Sequence, residues 1–319
     1  LVGIMFIMLV VSFGIGFLMK PLMTENYRKY LPFMVSVYEG GSMAYPLYTS
    51  LCGQENLSQI AVLDIAGLLF GFSIYMGMLG QTENGEKINV TVPTGNFGNI
   101  LAAYFAKQMG VPIDKLICAS NDNKVLYDFF KTGVYDKNRP FILTSSPSMD
   151  ILISSNLERL IYLSTGCDAE ETKKRMEELS KDGKYSVTDE MRARMADFVG
   201  GYADQAANAA EIKRLYDETG YMIDTHTGVA SCVYHNYVKE TGDTKKTVIA
   251  STASPYKFSR SVMEAIFGSE EGKGEFELID EMEKASGVKI PQAIEEIRKA
   301  EIRHNRQCKP EEMEKTVSE

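Results

Sequence analysis

The alternation of apolar and polar positions changes character along the chain. Residues 1–19, LVGIMFIMLVVSFGIGFLM, carry no charged side chain, and an apolar run of that length is enough to cross a hydrocarbon core as a helix. A second apolar stretch, residues 60–79, contains a single charge, Asp64. Both read as candidate membrane spans by hydropathy alone. Beyond residue 86 the pattern turns into short apolar runs separated by amphipathic segments, as expected of an α/β protein with a parallel or mixed sheet and flanking helices.

The order of these runs predicts individual elements. Residues 87–93, KINVTVP, read as a strand, followed by a glycine-bearing turn and a helix over 99–108 with a small-residue face of Ala102, Ala103 and Ala106. Residues 115–119 read as a second strand and 123–132 as the helix after it. The same strand and helix order returns at 247–251 and 259–267. Residues 189–216 and 292–303 read as helical by periodicity.

Composition narrows the class. A chain of 319 residues that is 45% hydrophobic can bury a substantial core, which excludes a disordered or fibrous reading. With 24% charged residues and a formal net charge of -9, the surface repels phosphate backbones, so no nucleic-acid partner is expected. The five cysteines, Cys52, Cys118, Cys167, Cys232 and Cys308, form no C-x-x-C pair, and the three histidines, His226, His235 and His304, form no H-E-x-x-H motif. No metal site is expected, and a reducing, cytoplasmic compartment fits.

Chemistry concentrates at Thr94-Gly95-Asn96-Phe97-Gly98-Asn99, between the first strand and its helix. Glycines let the backbone approach an anion closely, and a helix N-terminus supplies unpaired N–H groups and a favourable dipole. The loop is therefore suited to a phosphate. It lacks the G-x-G-x-x-G of a dinucleotide site and the Gly-Lys-Ser/Thr ending of a P-loop, which argues against NAD and ATP. The alternative is a turn whose glycines merely permit a tight bend.

The segment VPTGNFGNILAAYFAKQMG resembles the cofactor-phosphate segment of the bacterial and fungal type of threonine synthase. CASNDNKVLYDFF, SPSMDILISSNLERLIYL, MIDTHTGVA and STASPYKF follow in that family's order and at about its spacing. The resemblance covers residues 89–319 and implies the C-terminal two-thirds of a fold-type-II pyridoxal-phosphate enzyme, with a tryptophan synthase β-like fold. The activity it implies is conversion of O-phosphohomoserine and water to L-threonine and phosphate.

Carried over by position, Gly95, Asn96, Phe97, Gly98 and Asn99 bind the cofactor phosphate, and Thr252 hydrogen-bonds the pyridine nitrogen. A neutral hydroxyl there leaves the nitrogen unprotonated and the ring a weaker electron sink. Ser155, Asn156 and Arg159 fall in a segment on the substrate side, where a guanidinium suits a phosphate or carboxylate. For Arg159 a surface ion-pair role is the alternative. In DTHTGVA the family usually carries proline at the place of Thr225, a departure that bears on the shape of that turn. His226 reads as a structural hydrogen-bonding residue rather than a catalyst, and Lys257 as a surface lysine near the cofactor edge.

Such enzymes need a Schiff-base lysine, which in the family lies in a segment N-terminal to the resemblance. Lys20 and Lys29 do not sit in its motif, so no catalytic lysine is assigned and the chain as it stands is expected to be inactive. Residues 1–88 match the family poorly. Regrouping the bases by one position lets Glu39-Gly40-Gly41-Ser42-Met43, with the last base of Tyr38, encode Arg-Gly-Arg-Phe-Asp, Ser58-Gln59-Ile60-Ala61 encode Ala-Asn-Ser, and Asn26-Tyr27, with the last base of Glu25, encode Lys-Leu, each resembling a family segment in the family's order. A frame shift is thus the expectation for residues 1–88, with a membrane anchor as the rival. Two other functions stay open: a membrane-tethered, non-catalytic module that keeps the phosphate loop, and another fold-type-II lyase such as a serine/threonine dehydratase.

Overall fold

A computed structural model describes residues 86–108, 110–303 and 306–318. The apolar runs at 1–19 and 60–79 and the segments bearing on a frame shift lie outside the described residues. Among those described, no helix is long and apolar enough to cross a membrane.

Strand β1 (Ile88–Pro93) leads through the glycine loop into α1 (Gly98–Gln108), and β2 (Ile113–Ser120) leads into α2 (Val125–Thr132). Next come β3 (Val134–Asp136), a 3-10 turn at Pro147–Met149, α3 (Leu157–Ser164) and α4 (Ala169–Asp182). Strand β4 (Lys184–Ser186) returns to pair antiparallel with β3. The chain continues through α5 (Asp189–Arg194), β5 (Phe198–Tyr202), α6 (Gln205–Thr219), α7 (Thr225–Thr241) and β6 (Thr247–Ile249). It ends with α8 (Ser259–Phe267), α9 (Glu275–Ser286), α10 (Gln292–Lys299) and α11 (Met313–Ser318).

The main sheet has the order β5-β2-β1-β6, with every pair parallel. Alternation along β2 separates two cores: Leu116 and Cys118 pack with Val90, Val92, Phe97 and Ile100, whereas Ile117 and Ala119 pack with Val229, Ala230 and Val233 of α7. Both faces of the sheet are thereby covered, as parallel sheets require. The small face of α1 is buried as its sequence indicates, with Ala103 fully enclosed. Strand β1 is buried along its whole length. Its polar Asn89 is satisfied there, donating to Asp243 at 3.0 Å and accepting from the Lys115 amide at 3.1 Å.

The continuous helix expected over 189–216 is overturned. Residues in its middle form β5, which pairs with β2 from Leu116↔Phe198 to Ser120↔Tyr202. The physical reason lies in Gly200 and Gly201. A Cβ on Gly201 would come within 2.4 Å of Val233, and one on Gly200 within 3.2 Å of Phe130, so only a bare backbone fits between α2 and α7. Asp204 then restarts the helix by accepting the Ala207 amide at 2.7 Å. The helix expected over 292–303 is shorter, ending at Lys299.

Candidate active site

The glycine loop stands at the carboxyl end of β1, the edge where open α/β sheets bind ligands. The Thr94 amide donates to the Ala119 carbonyl at 2.8 Å, and the Thr94 hydroxyl donates to the Val92 carbonyl at 2.7 Å, fixing the point where the strand stops. Phe97 adopts a left-handed φ of 66°. Its ring is buried against Phe198 and Phe130, with centroids 5.6 and 6.0 Å away, so packing holds the backbone in this conformation. The helical ladder of α1 begins with Leu101 donating to the Phe97 carbonyl at 3.1 Å. The amides of Gly98, Asn99 and Ile100 precede that ladder and form the positive end of the helix.

Gly95 is covered by a segment distant in sequence. A Cβ there would lie 2.8 Å from the Ser148 carbonyl oxygen, 2.9 Å from the Met149 Cα and 3.1 Å from the Ile151 side chain. Asp150 fixes this covering segment. One of its carboxylate oxygens accepts from the Asn121 amide group at 2.7 Å, the Asn123 amide group at 3.0 Å and the Thr144 hydroxyl at 2.7 Å; the other accepts from the Thr144 backbone at 2.9 Å. Ser148 is held independently, its amide donating to His226 Nε2 at 3.2 Å.

The opposite wall rests on Asp224, the N-cap of α7. It accepts from the His226 amide at 2.8 Å and from His226 Nδ1 at 3.0 Å, and it also accepts the Thr227 hydroxyl. Burial pushes the Asp224 carboxyl up, but the hydrogen bonds from His226 and Thr227 outweigh it and hold the group below its ordinary value. With Nδ1 donating and Nε2 accepting, His226 is a neutral imidazole in structural service. Its ring also packs on Phe258 at 4.7 Å. The Thr227 hydroxyl meets that of Ser251 at 3.1 Å, tying α7 to the residue before Thr252. Thr225 occupies the first helical position, where proline is readily accepted because no intrahelical N–H bond is needed, and the cap forms with threonine there.

These walls enclose a cavity of about 380 Å³, lined by residues 93–99, Ser148, Met149, Asn156, His226, Thr252, Ala253 and Lys257. The loop residues Gly95 to Asn99, Thr252 and Asn156 thus share one cavity, whereas Ser155 and Arg159 are not part of its lining. Ser155 donates from both its amide and hydroxyl to the Asn96 side-chain oxygen at 2.7 Å. Asn156 donates from its side chain to the Asn96 carbonyl at 3.0 Å, and Arg159 donates to Asn156 Oδ1 at 3.0 Å. The arginine lines a separate cavity of about 770 Å³ with Phe105, Tyr162 and Met176. Sequence reading did not single out Asp150, Ser148 or Ser251. A signal existed in the polar cluster Asn121 and Asn123 at the end of β2, which needs a buried acceptor, but its partner lies 29 residues from Asn121.

The parallel sheet, the covered glycine loop at a strand-to-helix junction and the flanking α7 make this the fold of the fold-type-II pyridoxal-phosphate enzymes. Within that class, the resemblance to threonine synthases holds: residues 227–308 match the family model described as threonine synthase, C-terminal. Threonine synthase of Saccharomyces cerevisiae is 34% identical over 255 residues, covering 74% of this chain and 50% of the relative. The protein called threonine synthase-like 1 of Macaca fascicularis is 38% identical over 203 residues, covering 62% of this chain and 27% of the relative. Among solved structures, a pyridoxal-phosphate-bound threonine synthase from Brucella melitensis superposes with a TM-score of 0.59 at 33% identity, covering 66% of this chain and 45% of that one. The chain therefore spans about a quarter to a half of the length of these curated relatives.

Proposed function

We propose that this chain carries the C-terminal part of a threonine synthase, acting on O-phosphohomoserine and water to give L-threonine and phosphate. The observation that carries this reading is the backbone at Gly95, closed to any side chain by Ser148 and Met149 and followed three residues on by the first-turn amides of α1, whose ladder begins only with Leu101. Such a cradle fits a phosphate ester, and a cavity of about 380 Å³ falls within the usual range for small-molecule sites. Pyridoxal phosphate, when bound, supplies an electron sink that makes protons on the substrate carbons mobile.

The protein's own residues orient and enclose. Amides from Gly95 to Asn99 hold the cofactor phosphate, and Thr252 offers a neutral hydroxyl to the pyridine nitrogen. Asn156 presents its amide on the substrate side, with Arg159 bracing it and Ser155 holding Asn96. His226 keeps Ser148 over the loop and moves no proton, since both ring nitrogens are engaged. In this reading residues 89–319 form the enzyme portion, and residues 1–88 are a frame-shift product, with a membrane anchor as the rival.

The test uses the full-length protein expressed from its native locus and loaded with pyridoxal phosphate. Phosphate release from O-phosphohomoserine, together with cofactor absorbance, is the expected result. Bound cofactor with no phosphate release removes the substrate assignment; failure to bind cofactor removes the whole reading.

A further inference from the structure

We propose that Lys257 is the cationic contact for the substrate's phosphate group, an inference that rests on the threonine synthase reading. Two phosphates must be accommodated near one another, one on the cofactor and one on the substrate. The loop Gly95 to Asn99 serves the first with backbone amides and brings no formal charge. Among the described residues that line the cavity, Lys257 is the one carrying a formal charge, because His226 is held neutral by donating at Nδ1 and accepting at Nε2. A phosphate monoester is nearly dianionic at neutral pH, and the protein's formal net charge of -9 opposes its approach. A cation in the cavity wall offsets that repulsion where it matters.

The turn that carries Lys257 is firmly seated. It lies in Pro255–Phe258, where Ser254 caps the Tyr256 amide at 3.3 Å and the buried Tyr256 donates its hydroxyl to the Val288 carbonyl. The ammonium rests 5.4 Å from the centroid of Phe258, and that ring packs against His226. No carboxylate among the described residues pairs with Lys257. A cation held only over an aromatic face at an exposed site is weakly engaged, so it is available for a charge-assisted bond to phosphate. Two other basic residues lie near the site: Arg159 lines a different cavity and is tied to Asn156, and Lys124 lines a separate small pocket with Thr94 and Gly95, its ammonium 4.6 Å from the centroid of Tyr202.

The experiment compares Lys257→Met and Lys257→Arg with the wild type as full-length, cofactor-loaded proteins. Two quantities are measured: KM and kcat for O-phosphohomoserine, and the affinity for inorganic phosphate read from the cofactor's absorbance, which needs no turnover. Lys257→Met is expected to raise KM roughly ten- to a hundredfold with a smaller change in kcat, and to weaken phosphate binding by a similar factor. Cofactor content is expected to stay unchanged, and Lys257→Arg to restore most of both effects. Unchanged KM and phosphate affinity in Lys257→Met would overturn the proposal, as would loss of cofactor from that variant. If the wild type itself fails to turn over O-phosphohomoserine, the threonine synthase reading falls. The phosphate titration then decides alone: weaker binding by Lys257→Met upholds the phosphate contact, and equal binding overturns it.

Discussion

Gly95 lies directly under Ser148, so close that a Cβ on the glycine would stand 2.8 Å from the serine carbonyl oxygen. Two backbones 53 positions apart in the chain thus meet without a side chain between them. The first serves as the proposed phosphate cradle and the second as its cover, and the fit between them depends on a residue with no Cβ.

Gly95→Ala is therefore expected to push the cover away from the loop. The forced shift costs about 1–3 kcal/mol of stability, as overpacking does, and cofactor affinity falls at least tenfold. Denaturant unfolding and cofactor titration check the two effects. A variant that binds cofactor as tightly as the wild type would show that the close approach has no part in binding.

Asp150 gathers three donors on one oxygen and a fourth on the other. Asp150→Asn keeps the shape but turns one acceptor into a donor facing donors, so a loss of about 1–3 kcal/mol is expected. Cofactor affinity should fall in parallel, because the covering segment loses its anchor. Equal denaturation midpoints for variant and wild type would contradict this role.

Asn156 lines the cavity and Arg159 does not, but the guanidinium donates to Asn156 Oδ1 at 3.0 Å, so the proposed substrate role of the arginine runs through the asparagine. Arg159→Ala is expected to raise KM for substrate less than Asn156→Ala does. The double variant should resemble Asn156→Ala alone, with a coupling of about 0.5–3 kcal/mol in a double-mutant cycle. Additive effects would mean that Arg159 reaches substrate independently.

Asp224 is expected to contribute to the pH dependence of stability. Its folded carboxyl is held below the ordinary value of 3.8, so its stabilising contribution is full above that value and is lost as pH falls through the lowered folded value. Asp224→Asn retains a competent N-cap but loses the carboxylate that His226 and Thr227 satisfy. The difference in melting temperature between wild type and variant should therefore be largest near neutrality and shrink on the acid side, roughly below pH 4. A difference independent of pH would exclude ionisation of this group as the cause.

The sequence by itself determined the elements that carry their own local signals. Strand β1, the TGNFGN loop and α1 follow from an apolar run, two glycines and a small-residue helix face, and these features are contiguous. The proposed phosphate cradle was legible as a candidate for the same reason, because a glycine-bearing loop at a helix start occupies one short stretch. Only the tertiary structure decided β5, the cover over Gly95 and the separation of Asn156 from Arg159. Gly200 and Gly201 look like interruptions of a helix until Val233 and Phe130 close in on either side. Asp150 has no visible purpose until the chain folds back on Asn121 and Asn123. These features depend on contacts between residues far apart in the chain, and neither periodicity nor spacing records such contacts.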